Sequence, residues 1–205
     1  MKDKLIIIGA GGHGKVASDV ARNMGTYEEI YFLDDKAEES VLGIKVLGAS
    51  NEYSKWIDEA DFFVAIGDCS TRKKIMEELE KECATIATLV HPRAIIGSNV
   101  KIGKGTVIMA GVVINADTKI GKGVIANTSC SIDHDNTIGD YCHISVGSHL
   151  SGAVKVGNGT LIGAGATVIN NLEICENSTV GAGAVVTKNI NEPRIYIGIP
   201  AGKVG

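Results

Sequence analysis

Three of the five histidines fall in one stretch, "SIDHDNTIGDYCHISVGSH" at residues 131 to 149, with Cys142 inside it and Cys130 just before it. His134 stands between Asp133 and Asp135. A neutral imidazole near pH 7 can take a proton from an attacking amine or hydroxyl, and an adjacent carboxylate can fix its tautomer and raise its basicity. By residue type alone Cys130, His134, Cys142, His143 and His149 also suggest zinc. A solvated polar corner without chemistry is the third reading. A second constellation lies near the amino terminus. "GAGGHG" at residues 9 to 14 satisfies G-x-G-x-x-G, and Asp34 follows Gly14 by twenty residues. Glycines there let backbone N–H groups approach a phosphate at a helix N-terminus, and an acid after the next strand can hold a hydroxyl or base edge.

Two kinds of scaffold must carry these residues. Up to about residue 85, "KLIIIGA", "EIYFLDD" and "ADFFVAIGD" read as buried strands, and "GKVASDVARNMG" and "STRKKIMEELEKE" as helices. Their alternation predicts βαβ units and a small parallel sheet, with Gly11, Gly12, His13, Asp34, Asp35 and Gly67 at strand ends where open α/β sheets bind ligands. Three strands make only half of the sheet that a dinucleotide needs, which favours a nucleotide diphosphate sugar. A tight turn that binds nothing is the bland alternative for the glycines, and a solvated strand end for Asp34 and Asp35.

From Ile96 to Val186 an apolar residue returns at every sixth position, and only Ala126 is not Ile, Leu or Val. Glycine follows this stripe at 97, 103, 121, 139, 157, 163 and 181. A period of six marks hexapeptide coils of a parallel β-helix, in which three hexapeptides close one eighteen-residue turn. About five turns are expected, with "NEPRIYIGIPAGKVG" as a tail. Alternation of side chains turns the position two before each stripe residue inward as well, which takes Cys130 and Cys142 away from the histidines and argues against zinc. His143 and His149 turn outward. His134 sits at a corner, where burial without a partner would be costly, so it also faces out. His134 and His143 are nine residues apart, half a turn, on opposite sides of one prism. They can meet only across a subunit boundary.

Composition bounds the rest. A net charge of −4 and a pI near 5.7 give no basic footprint for nucleic acid or an anionic membrane. No apolar run reaches the ~18 residues of a membrane span or the ~7–15 of a secretory leader. Five cysteines without a CxxC pair fit reduced thiols in the cytoplasm.

With "IIIGAGGHGKVASDVARN", "FLDD", "FFVAIGD", "VHPRA", "NTSCSIDHDNTIGDYCHISVGSHLSGAVKVG" and "GIPAGKV" in this order, the chain resembles the bacterial sugar O- and N-acetyltransferases of the sialic acid acetyltransferase type. Within them it is most similar to the UDP-4-amino-sugar N-acetyltransferases of bacillosamine biosynthesis. The resemblance implies a Rossmann-like α/β domain over residues 1–88 that holds the UDP-sugar, and a left-handed β-helix over 89–205. It implies a homotrimer with acetyl-CoA, and no metal, in sites between subunits. Carried over by position, His134 is the general base and Asp135, a Glu in the bacillosamine enzyme, the carboxylate that orients it. Gly11, Gly12 and His13 form the nucleotide-sugar loop, Asp34 and Asp35 the base and ribose contacts, Gly67 a further contact, and Asn127 a residue near the reacting centre. His143, Ala164 and Ala182 meet acetyl-CoA, the alanines through backbone. The expected reaction is direct acetyl transfer to the sugar C4 amine. Rival acceptors are GDP-perosamine and a sialic acid hydroxyl; rival classes are a γ-type carbonic anhydrase and a non-catalytic nucleotide-sugar binder.

Overall fold

The amino-terminal sheet is the parallel one that the strand and helix pattern predicts. In the computed structural model, which describes residues 2–36 and 38–204, β1 (Lys4–Ile8) pairs in parallel with β2 (Glu29–Leu33) on one side. On its other side lies the later strand Ala60–Val64. Two short strands, β3 (Ser40–Val41) and β4 (Ile44–Lys45), form a hairpin, so Ala60–Val64 is β5. Leu5, Ile6, Ile7 and Ile8 and the whole of β5 are buried, as expected of a central strand and its neighbour covered on both faces. Helix α1 (Gly12–Met24) buries Ala17, Val20 and Ala21, and α2 (Cys69–Lys81) buries Met76 and Leu79, the spacing of one helix face. A 3-10 helix at Ser50–Trp56 and the β3–β4 hairpin carry no periodic signal and are not predicted.

The chain divides into two compact units, residues 1–92 and 93–205. In the second, two-residue strands stack as a left-handed parallel β-helix of about six turns. Each strand pairs with those eighteen residues before and after it: Ser131–Ile132 pairs with Val113–Ile114 and with His149–Leu150. The first face runs from Ile95–Ile96 to Val185–Val186, the second from Lys101–Ile102 to Glu173–Ile174, and the third from Val107–Ile108 to Thr179–Val180.

The stripe is buried from Ile108 to Val186, and the positions two before it, Thr106, Val112, Thr118, Val124, Cys130, Asn136, Cys142, Ser148 and Val154 among them, are fully buried too. At the open first rung Ile95 and Ile96 are exposed. The third residue after each stripe position lies in the left-handed backbone region at every corner from Asn99 to Gly183. Glycine, Asn and Asp dominate there because they tolerate it, and Tyr141 and Ala153 do so at a small steric cost. The glycines just after the stripe have another cause, since a Cβ at Gly157 would stand 2.4 Å from the backbone nitrogen of Glu176 on the next turn.

The tail is part of the solenoid. Ile195–Tyr196 pairs in parallel with Thr179–Val180 and adds a rung to the third face; Gly202–Lys203 then pairs antiparallel with Tyr196–Ile197. Ile190 bridges to Ile174 and is buried, closing the second face. These rungs follow longer loops, and so lie outside the period of six.

Candidate functional site

In the first unit, the ends of β1, β2 and β5 carry the loop residues. Not every glycine of "GAGGHG" has the same cause. Gly14 is packed so tightly that a Cβ would meet the Gly9 carbonyl oxygen at 2.0 Å, and Gly9 has a φ of 102°. Gly11 and Gly12 meet nothing within 4 Å and have no positive φ, and the same holds for Gly67 after β5. The fold does not require glycine at these three positions, so the open space above them is available to a ligand's close approach. Helix α1 also begins with no side-chain cap and no acid in its first turn, whereas α2 is capped by Asp68, whose carboxylate accepts from Thr71 N–H at 2.8 Å. The uncapped end leaves the first N–H groups of α1 facing outward. His13 lies in the first turn of α1, its ring centroid 6.4 Å from that of Phe63.

Asp34 accepts through Oδ2 from Ala10 N–H at 2.8 Å and through Oδ1 from Lys36 N–H at 2.8 Å, so it clasps the glycine loop to the end of β2. Neither a free strand end nor a ligand contact alone describes it. Asp35 accepts from Ser50 N–H at 2.8 Å, which anchors the 3-10 helix. Beside Asp35 is a cleft of about 410 Å³ lined by Ser50, Asn51, Tyr53, Ile75 and Glu78. Sequence reasoning missed its lining, which comes from the aperiodic segment.

In the second unit, His134 occupies the corner between the first and second faces, its side chain 59% exposed. Its Nδ1 donates to Asp135 Oδ2 at 2.7 Å, and its backbone N–H to Asp133 Oδ1 at 2.9 Å. Asp133 is held in turn by Asn115 Nδ2 at 2.8 Å from the preceding turn. The Asp135 hydrogen bond first, and the Asp133 charge second, raise the imidazole pKa above its ordinary value. Asp133 is pushed the other way, chiefly by the Asn115 amide and then by the His134 N–H. With Nδ1 tied to a carboxylate, Nε2 carries the lone pair.

The ring has room because the same corner of the next turn is Gly152. A Cβ there would stand 2.6 Å from both Cε1 and Nε2 of His134. Behind the ring, inside the prism, Asn136 Nδ2 donates to the carbonyls of Asp133 (2.7 Å), His134 (3.2 Å) and Ser151 (3.0 Å) while its Oδ1 has no partner. Gly152, Asn115 and Asn136 are missed by sequence reasoning; stepping eighteen residues from His134 finds the first of them.

His143 lies on the third face, with its Nε2 3.1 Å from Asn127 Nδ2. Ala164 and Ala182 are exposed at the corner that follows that face. Asn127, His143, Ala164 and Ala182 therefore share one side, and His134 with Asp135 another; within one chain the β-helix does not bring the two sets together. Cys130 and Cys142 are buried in the axis, and burial pushes the Cys130 thiol up to about 12. Among the described residues no group of three or more His, Cys, Asp or Glu is placed to hold a metal, and no helix is long and apolar enough to cross a membrane.

Residues 4–79 match the family model described as the PglD N-terminal domain, and residues 153–188 the model for the bacterial transferase hexapeptide (six repeats). A UDP-N-acetylbacillosamine N-acetyltransferase of Bacillus subtilis is 39% identical over 108 residues, 51% of this chain and 50% of that protein. The match thus spans about half the length of that relative. Among solved structures, the acetyltransferase domain of PglB from Neisseria gonorrhoeae in complex with acetyl coenzyme A superposes with a TM-score of 0.97 at 37% identity, each chain covered to 100%. PerB from Caulobacter crescentus, in complex with CoA and GDP-perosamine, gives 0.91 at 36% identity, over 98% of this chain and 97% of that one.

Proposed function

Because the chain belongs to the hexapeptide-repeat acetyltransferases that carry a PglD-type amino-terminal domain, we propose that it is a cytoplasmic acetyl-CoA-dependent N-acetyltransferase acting on the C4 amine of a UDP-linked amino-deoxy sugar. The observation that carries this reading is the His134–Asp135 pair, with its Nε2 laid over a glycine. His134 Nε2 takes the proton of the amine as its nitrogen attacks the thioester carbonyl. Collapse of the tetrahedral adduct expels the CoA thiolate, and the amide forms with no acyl-enzyme. Asp135 holds the ring and stabilises the imidazolium. The base contributes on the order of 10²–10⁴-fold, the remainder coming from positioning.

Gly11, Gly12 and Gly67 take the diphosphate and sugar through backbone approach, with His13 at the loop and Asp34 and Asp35 toward the nucleoside, for which the cleft beside Asp35 has room. Asn127, His143, Ala164 and Ala182 take acetyl-CoA. Since those residues and His134 lie on different sides of one β-helix, the complete site forms between subunits of a homotrimer.

A GDP-linked amino sugar is the second reading, favoured by the similarity to PerB, whose complex contains GDP-perosamine. Incubation with acetyl-CoA and a panel of UDP- and GDP-amino sugars, with free thiol followed, decides between them. Thiol release with the UDP-sugar, and a loss of about 10²–10⁴-fold in kcat in His134→Ala, are expected. Binding of a nucleotide sugar with no thiol released would overturn the enzyme reading.

A further inference from the structure

Asn127 and His143 form a pair whose hydrogen-bond polarity is fixed from outside. Asn127 Oδ1 accepts from the backbone N–H of Thr128 at 2.8 Å. A backbone N–H can only donate, so the amide cannot be turned over, and the group that faces His143 Nε2 at 3.1 Å is the Nδ2 donor. Nε2 must then be the acceptor. In a neutral imidazole the proton is left on Nδ1, and an imidazolium, with hydrogens on both nitrogens, offers Asn127 no acceptor.

The two partners are tied down independently of each other. Asn127 N–H bonds to the Ile144 carbonyl at 2.8 Å, and His143 N–H to the Thr160 carbonyl at 3.0 Å, both ladder bonds of the third face. His134 is set the opposite way, with Nδ1 committed to Asp135. One histidine of the fold thus exposes a lone pair, and the other an N–H.

We propose that Asn127 is a positioning residue that fixes His143 as the Nδ1–H tautomer, so that what His143 offers a ligand is a hydrogen-bond donor suited to a carbonyl oxygen. Resting on the acetyl-transfer reading, that oxygen belongs to the acyl donor, in its thioester or its amide-bearing arm. His143 is therefore no second base, because its basic lone pair is already spent on Asn127.

The experiment is long-range ¹H–¹⁵N correlation on protein labelled with ¹⁵N-histidine, the His143 signals being assigned by their loss in His143→Gln. The wild-type ring is expected to show a protonated Nδ1 and an unprotonated Nε2. Asn127→Asp keeps an acceptor for Thr128 and presents carboxylate oxygen to the ring, so His143 is expected to move its proton to Nε2. In the same variant kcat/KM for acetyl-CoA falls by about tenfold, the worth of one hydrogen bond, with KM for the nucleotide sugar unchanged. Asn127→Leu, which has no donor or acceptor, is expected to release the ring to a tautomer mixture.

A wild-type ring protonated at Nε2, or one whose tautomer is the same in wild type and Asn127→Asp, overturns the proposal. The tautomer is read without turnover. A protein that acetylates nothing yet shows Nδ1–H in wild type and Nε2–H in Asn127→Asp would sink the enzyme reading and leave the role of Asn127 standing.

Discussion

Gly152→Ala isolates the position of the His134 ring from its chemistry. The new Cβ would lie 2.6 Å from Cε1 and Nε2, and 3.2 Å from Nδ1. Ordinary carbon contacts begin near 3.5 Å, so the ring must retreat by about 1 Å. Gly152 has no positive φ, so alanine fits the backbone there. Its smaller loss of chain entropy is worth ~0.4–1 kcal/mol of stability, set against a displaced side chain that is mostly exposed and free to swing into water. Thermal unfolding should therefore show a melting temperature that holds or rises slightly. Turnover should respond very differently, because a misplacement of about 1 Å in a reacting group costs on the order of 10²-fold. Steady-state thiol release with the accepted sugar gives kcat, and circular dichroism the melting curve. A Gly152→Ala enzyme with wild-type kcat, beside a His134→Ala enzyme that has lost it, would refute the idea that the bare glycine sets the ring. A Gly152→Ala protein that has lost several degrees of stability would refute it differently, by showing that the backbone needed the glycine.

In Asp135→Asn the corner is kept, since Asn tolerates its φ of 58°, but the chief cause of the raised imidazole pKa is removed. Activity requires the neutral ring and is lost as pH falls through its pKa, so the acid limb of the kcat/KM profile should move to lower pH, with a lower plateau; an unmoved limb would deny Asp135 its role. Gly12→Ala should raise KM for the nucleotide sugar at least tenfold without lowering the melting temperature, as no protein atom awaits its Cβ; an unchanged KM would free the loop from the ligand. Asp68→Ala should destabilise the first unit by about 1 kcal/mol, the worth of a helix cap. The Asp68 carboxylate is lowered to about 2 by its bonds to Ser70 and Thr71, so the difference from wild type should be complete above the unfolded value near 4 and vanish as pH falls through about 2, which denaturant titration at several pH values measures.

The β-helix was readable because its period is covalent as well as structural: each corner consumes a fixed number of residues, so any inward side chain recurs every sixth position without drift. Asn136 shows where that logic falls short. A polar residue at an inward position reads as an exception, and only the three carbonyls gathered by its amide give it a place behind His134. Asp34 failed to declare itself for a related reason. Its partner is a backbone N–H twenty-four positions away, and backbone groups leave no mark in sequence. The rung at Ile195–Ile197 was invisible because the loop before it breaks the count.

The eighteen-residue ladder also makes the long axis of the second unit a graduated scale. Corner residues of successive turns stand about 4.8 Å apart, so a group such as His134, the glycine that receives its ring, and the paired alanines at 164 and 182 can be separated only by whole steps. Substitution can retune what stands at a mark, but no single substitution moves the mark itself. Shifting a group along the axis takes insertion or deletion of complete turns. Variation in acyl-chain length should accordingly come in discrete classes set by turn number, with side chains at fixed marks doing the finer selection within each class.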